Sequence, residues 1–429
     1  MNKIEGARSV LTGVERVPRL LVVSSYRRPC GIAQYVEFLE GPLRRLGRAE
    51  IEIAPLPVDL LRARTSFARR AASAEFDSIV EKARQADVVN IQFEPGLFGR
   101  TPLVIWRRLR RLLAASRRVI ITYHTMPPMD EQPVADFRFY LSRAYLSSAR
   151  TRFLFNRLLA LVRRNPDRFH HIIHARRDAQ RFVLLGIPED TITVLPLSFL
   201  DHDRRNSISR ADARARLIER WRIPSDARII GTFGFLSEYK GMEIAIRALR
   251  QLPEDHHLIV VGGLHPEGIQ TGTVEQPYVR RLINEIAMDG SADRASNAAD
   301  ERMSKRVHFC GAPANDEFNE LLAACDIAVL AYAEVGQTSS GPAGLALDMQ
   351  VPLICSRTKC FRELDRFEPG ILSFFEIGNH LELAQRIILG EADRPEHTQA
   401  RSRYIRKYNI EMRAQAYVAA LSRLAEVAA

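Results

Sequence analysis

Cysteines are few in this chain, and none are closely paired. Cys30, Cys310, Cys325, Cys355 and Cys360 are spread over 429 residues, odd in number and without a CxxC. That argues against a disulfide framework or a structural zinc, and leaves reduced, mostly buried thiols as the expectation. Long hydrophobic runs are missing too, since no apolar stretch approaches the roughly 20 residues that span a bilayer. The opening residues Met-Asn-Lys-Ile-Glu-Gly-Ala-Arg have no apolar h-region, so they do not read as a secretion signal and the expected location is cytoplasmic. There is no Ser-His-Asp or Cys-His grouping, no HExxH, no Walker loop and no short-period repeat.

What is present is ordinary globular composition, 46% hydrophobic and 26% charged, in a chain long enough for two domains. A net charge of +11 favours anionic partners: a nucleotide, a lipid surface, an acidic polymer or nucleic acid. Arginines interleave with apolar residues from Trp106 to Arg118 and from Tyr145 to Arg168, the pattern of basic amphipathic helices. Such helices are either solvated faces or docking surfaces for an anionic membrane, and the sequence leaves both open. No nucleic-acid-binding motif accompanies the charge, so nucleic acid is not an expected partner.

Strands alternate with helices along the chain. Leu20 to Ser25, Ile51 to Ala54, Asp87 to Gln92, Val119 to Tyr123, Phe169 to His174 and Thr191 to Leu195 read as strands. Ile32, Tyr35, Val36 and Leu39 share one face of the first helix. The pattern restarts with Ile229 to Phe233, Leu258 to Gly262, Val307 to Cys310, Ile327 to Ala331 and Leu353 to Ser356. Two parallel α/β sheets follow, with ligands expected beyond the carboxyl ends of their strands. Leu197 to Ser209 reads as the connector. Its Asp201-His-Asp203 is formally a D-x-D, but in a polar connector it is better read as solvated than as a metal site. Met288 to Asn297, rich in Ala, Asp and Ser, reads as an insertion.

The turns after these strands carry the candidate chemistry. After Asp326 to Tyr332, the small polar residues Gln337, Thr338, Ser339, Ser340 and Gly341 lead into a helix. Free backbone N–H groups there suit a diphosphate, or the serines simply cap the helix. Gly31 opens the first helix and leaves room for a phosphate. Gly234 and Lys240-Gly241 lie between a strand and a helix whose Met242, Ala245, Ile246 and Leu249 share one face, which aims the Lys240 ammonium at the cleft. Gly262-Gly263 ends another strand and makes room for a base or ribose. His124 ends the strand Val119–Tyr123, while Gln92 and Glu94 follow another strand and are placed to bind sugar hydroxyls.

In order and spacing, these turns resemble the GT-B fold glycosyltransferases of glycosyltransferase family 4, the group 1 type, over nearly the whole chain. The resemblance rests on Pro29 to Val36, Gln92 to Gly99, Thr122 to Thr125, Val194 to Pro196, Gly234 to Gly241, Val307 to Gly311, Ala324 to Leu330 and Val329 to Ile354. It implies two Rossmann-like domains facing each other across a cleft: residues 1–198, with a crossing helix at 402–429, for the acceptor, and 199–401 for the donor. It implies a GDP- or UDP-linked sugar as donor substrate, retention at the anomeric carbon, no metal and no further cofactor. Gly31 would lie by the donor phosphates, His124 by the donor sugar, and Lys240 on the diphosphate. Gly234, Gly263, Glu334, Gln337, Thr338, Ser339, Ser340 and Gly341 would complete the donor site, with Gln92 and Glu94 on the acceptor side. The acceptor implied is a glycan or lipid-linked sugar, and mannose is the sugar suggested by the Gln92 to Gly99 loop.

Two features depart from the family pattern. Its glutamate pair, E-x7-E, falls on Gln337 and Leu345, and its second basic residue falls on Phe235. Glu334 is placed to substitute for the first glutamate, or Gln337 to bond as a neutral group. The competing readings are a catalytically inert scaffold of the same fold and a basic nucleic-acid-binding protein on a Rossmann-like scaffold.

Overall fold

Among the described residues, twelve short strands, most of them buried, form two sheets in which every pairing is parallel. A computed structural model describes residues 16–126, 143–264, 276–287 and 302–426. The first sheet holds β1 (Arg19–Ser24), β2 (Glu50–Pro55), β3 (Val88–Phe93), β4 (Val119–Tyr123), β5 (Phe169–Ile173) and β6 (Ile192–Val194), in the order β2-β1-β3-β4-β5-β6. The second holds β7 (Arg228–Phe233), β8 (His256–Val261), β9 (Val307–Gly311), β10 (Ile327–Leu330), β11 (Leu353–Ser356) and β12 (Ser373–Phe375), in the order β12-β11-β10-β7-β8-β9. The α/β expectation holds. The three-residue β12 is the strand the sequence did not reveal, being too short to show a period.

Strand order reverses between β1 and β3 in one sheet and between β7 and β10 in the other. At such reversals neighbouring connections leave on opposite faces, and the gap between them beyond the carboxyl ends is where open α/β sheets bind ligands. The turns singled out above follow β1, β3, β7 and β10, and His124 follows β4. Topology alone therefore gathers them toward two facing crevices.

The connector departs from the solvated linker expected of it. Leu197, Phe199 and Leu200 are buried, and one apolar cluster runs from Leu20 and Tyr35 through them to Ile229 and Leu345. Asp201 has a structural role of its own. It caps the short helix His202–Ser207 by accepting from the Arg204 N–H, and it pairs with Arg45 at 2.8 Å. The helix Pro395–Lys407 packs against the second sheet's helices, whereas the last helix, Ile410–Glu426, lies along the first helix, Gly31–Arg45. The basic segments form the helices Pro102–Ala115 and Arg143–Arg164, with Arg107, Arg110, Arg157 and Arg163 exposed. The Met288 to Asn297 segment lies outside the described residues.

Candidate functional site

The loop after β10 has the chemistry of an anion cradle. The backbone N–H groups of Thr338, Ser339, Ser340 and Gly341 donate to no protein acceptor among the described residues, and Pro342 stands in the first turn of the helix Gly341–Asp348. The Ser340 side chain is committed elsewhere: its hydroxyl meets the Tyr332 hydroxyl at 2.9 Å and caps the helix by accepting from Ala343 N–H. The capping reading of Ser340 is thus seen directly, and the cap fixes a turn whose other N–H groups are left without a protein acceptor among the described residues.

Gln337 turns its amide NH₂ onto the Ser339 carbonyl at 2.6 Å, which leaves its Oε1 buried and without a partner among the described residues. An unpaired buried acceptor costs about 1–3 kcal/mol unless a ligand hydroxyl fills it. Leu345 is a core residue at 2% exposure, so the second departure from E-x7-E is a packing position. Glu334 is exposed and bonds the backbone N–H groups of Gly336 and Lys359, tying the loop to the helix Lys359–Asp365.

Lys240 is buried at 5% exposure, with its ammonium 3.8 Å from the centre of the Tyr332 ring and 4.8 Å from that of Tyr239. Burial pushes its pKa down to about 7. The two donor turns therefore meet through Tyr332, which holds Ser340 at its hydroxyl and Lys240 on its face. A Cβ on Gly234 would lie 3.3 Å from Lys240 Cε, and one on Gly241 would lie 2.1 Å from the Ala331 carbonyl oxygen. Gly241 is also left-handed, with φ 62°, so it alone among residue types fits there without strain. Gly263 accepts from Leu236 N–H on the next turn.

His124 faces this loop from the first sheet. Its ring sits 5.1 Å from Tyr35 and 5.4 Å from His174, and its backbone carbonyl accepts from the Thr338 hydroxyl at 3.3 Å. Burial, and secondarily the nearby Arg413, push its pKa down to about 3, so the ring is neutral. A chain of bonds sets its tautomer. Asn90 donates its NH₂ to the Ile120 carbonyl, so its Oδ1 must accept from Gln92 Nε2. Gln92 Oε1 then faces His124 Nε2 at 2.7 Å, which puts the proton on Nε2 and the lone pair on Nδ1.

Gln92 thus departs from its expected place. It is fully buried, with its amide shared among Asn90, Tyr417 and His124, and it has nothing left to offer an acceptor sugar in this arrangement. Glu94 remains on the cleft side, half-buried and bonded by the Thr125 hydroxyl. Gly31 begins the first helix without a side-chain cap and with open space where a Cβ would go.

Several members of the site were not visible in the sequence reading. Arg413 is buried and binds the Tyr35 hydroxyl, Ser198 and the Pro196 carbonyl. It occupies the apolar stripe of Ile410, Tyr417 and Leu421, and a charge in such a stripe was the available signal. Asp348 accepts from both Phe199 and Leu200 N–H through a single oxygen. Beside the loop lies a basic recess of about 530 Å³ lined by Arg177, Lys359, Arg362, Glu363 and Arg366, drawn from both halves of the chain.

Comparison with known proteins agrees with the fold. Residues 227–389 match the family model described as glycosyl transferases group 1. In sequence, no curated protein matches the chain. HepE of Anabaena, solved in complex with UDP and glucose, is 18% identical, with a TM-score of 0.62 over 94% of this chain and 99% of that one. Sucrose-phosphate synthase of Thermosynechococcus elongatus is 17% identical, with a TM-score of 0.64 over 96% and 100%. The UDP-forming trehalose-phosphate synthase of Burkholderia xenovorans, in complex with glucose-6-phosphate, is 13% identical, with a TM-score of 0.62 over 94% and 100%.

Proposed function

We propose that this chain, a GT-B fold glycosyltransferase whose residues 227–389 form a group 1 domain, transfers a hexose with retention from a nucleotide-diphosphate sugar to a glycan or lipid-linked acceptor. The observation that carries the reading is the pairing of four backbone N–H groups at Thr338 to Gly341, none with a protein acceptor among the described residues, with the buried Lys240 ammonium, joined through Tyr332. Donors fixed before the reaction stabilise a leaving diphosphate without reorganisation, the largest usual source of catalysis in such transfers. The residues at hand support a front-face displacement in which the departing phosphate takes the acceptor's proton. His124 is held neutral with a lone pair on Nδ1, which suits it to accept from a sugar hydroxyl rather than act as an acid, and Lys240 supplies charge. Diphosphate and sugar would be held by this chain's own groups, without a metal or further cofactor.

The orphaned Oε1 of Gln337 favours an active variant over an inert scaffold, because a ligand hydroxyl supplies the missing donor. The recess of three arginines and a lysine supports an acceptor carrying phosphate, and the exposed arginines of the helix Pro102–Ala115 support docking at the inner face of an anionic membrane. Mannose is the sugar suggested by the sequence, while HepE was solved with UDP-glucose. Titration with UDP and GDP, followed by a screen of UDP-glucose, GDP-mannose and related donors for nucleotide release, tests the reading. Binding of one nucleotide and turnover of its sugar conjugate is the expected result; no binding of either nucleotide overturns it.

A further inference from the structure

His174 directly follows β5 and enters no part of the mechanism above. Its ring is 5% exposed and is fixed by one bond, from Nδ1 to the Leu195 carbonyl at 2.9 Å. A carbonyl only accepts, so the proton is on Nδ1 and Nε2 presents a lone pair. That Nε2 is buried and has no partner among the described residues. Burial, with Arg413 and His124 close by, holds the imidazole neutral, which preserves the lone pair at physiological pH.

His174 lines a small recess together with Thr338, Ser339 and Ser340, the loop assigned to the donor, and with Leu197, Cys360 and Leu364. Its free volume is about 10 Å³. That is room for roughly one water-sized oxygen. A buried acceptor without a donor, on a residue that lines a socket for a single oxygen, matches one hydroxyl. A phosphate oxygen has no proton to give, so the His174 lone pair offers the donor's diphosphate no bond.

We infer that His174 is a sugar-recognition residue whose Nε2 accepts the hydrogen bond of one hydroxyl of the donor hexose. The inference rests on the donor-loop reading given above. It adds a specificity element: a site with a buried acceptor discriminates strongly against a substrate that lacks the matching hydroxyl.

The test compares binding of UDP, UDP-glucose and the monodeoxy analogues of UDP-glucose by calorimetry, with GDP and GDP-mannose run in parallel, in the wild type, His174→Phe and His174→Gln. The expected result is that His174→Phe leaves nucleotide affinity within about twofold and weakens the nucleotide sugar about tenfold or more, and that the glutamine oxygen restores most of the loss. One deoxy analogue should bind the wild type as weakly as the parent sugar binds His174→Phe, with no further loss when both changes are combined. Equal losses for nucleotide and nucleotide sugar, or additive losses for every analogue, overturn the inference. Nucleotide binding with no gain from the attached sugar in the wild type also overturns it, while leaving the nucleotide site standing. Failure of both nucleotides to bind removes the donor reading itself.

Discussion

Gln92 holds His124 by a 2.7 Å hydrogen bond whose direction is set three residues deep, at the Ile120 carbonyl. The amide gives the histidine an acceptor without giving it a charge. Gln92→Glu keeps the shape and adds a carboxylate, which favours the imidazolium. The His124 pKa, now about 3, should rise toward neutrality in that variant. Ring-proton NMR across pH measures it, and transfer should weaken as pH falls through the new value. An unshifted titration would mean that the bond does not control the ring.

Lys240 carries a cost that its function explains. A lysine with a folded pKa near 7 binds fewer protons folded than unfolded between pH 7 and about 10.4, so its burial lowers stability below that window and the loss fades as pH rises. Lys240→Met removes the charge and keeps the packing over Tyr332. The melting temperature at pH 6.5 should be equal or higher, while transfer drops about a hundredfold or more, within the range for loss of a preorganised charge. A variant that melts lower yet transfers normally would contradict both halves.

Proton uptake should accompany nucleotide binding. A diphosphate beside Lys240 favours the ammonium, so the bound pKa lies above the free value of about 7. Affinity for UDP should hold below pH 7 and fall above it by up to tenfold per pH unit. Calorimetry in two buffers of different ionisation enthalpy counts the protons, and Lys240→Ala should abolish the uptake.

Asp348 pins the connector through Phe199 and Leu200 N–H, at 2.6 and 3.0 Å, and burial raises its pKa to about 7. The folded state therefore holds a proton that the unfolded chain releases above pH about 4, so stability declines as pH rises from there to 7. Asp348→Asn keeps the accepting oxygen and should flatten that decline. Asp348→Ala leaves two buried N–H groups unpaired and should cost about 2–4 kcal/mol. Urea unfolding of the three proteins at pH 5 and pH 7 separates these outcomes.

Membrane docking makes a further prediction. The purified protein should sediment with vesicles containing anionic phosphatidylglycerol and not with neutral ones, and should release at high salt. Reversing Arg107 and Arg110 to glutamate should weaken that association at least tenfold without changing nucleotide affinity. Equal binding to neutral vesicles would show that charge is not the determinant.

How much was legible beforehand depended on whether a feature is local. Strands and turns are, and eleven of twelve strands, with His124, Lys240 and the Thr338 to Gly341 loop at their ends, follow from runs and breaks in sequence. Gln92 was misplaced because the sequence shows its strand end but not Tyr417 and Asn90, which consume its amide. His174 looked like the last residue of an apolar strand. Its importance lies in what it fails to contact, and an empty valence is a property of the assembled fold. The charged connector misled for the opposite reason: polarity at Asp201 to Arg205 said nothing of the buried residues just before it.

The last helix has a consequence for how the protein comes into being. Tyr417 bonds Thr122 and Gln92, the latter being the residue that orients His124, yet it is synthesised 295 positions after Thr122. A ribosome that has delivered every residue of the donor loop has still not delivered the support beneath the histidine. Chains that stop short of Tyr417 would lack its bonds to Thr122 and Gln92, and with them the support beneath His124.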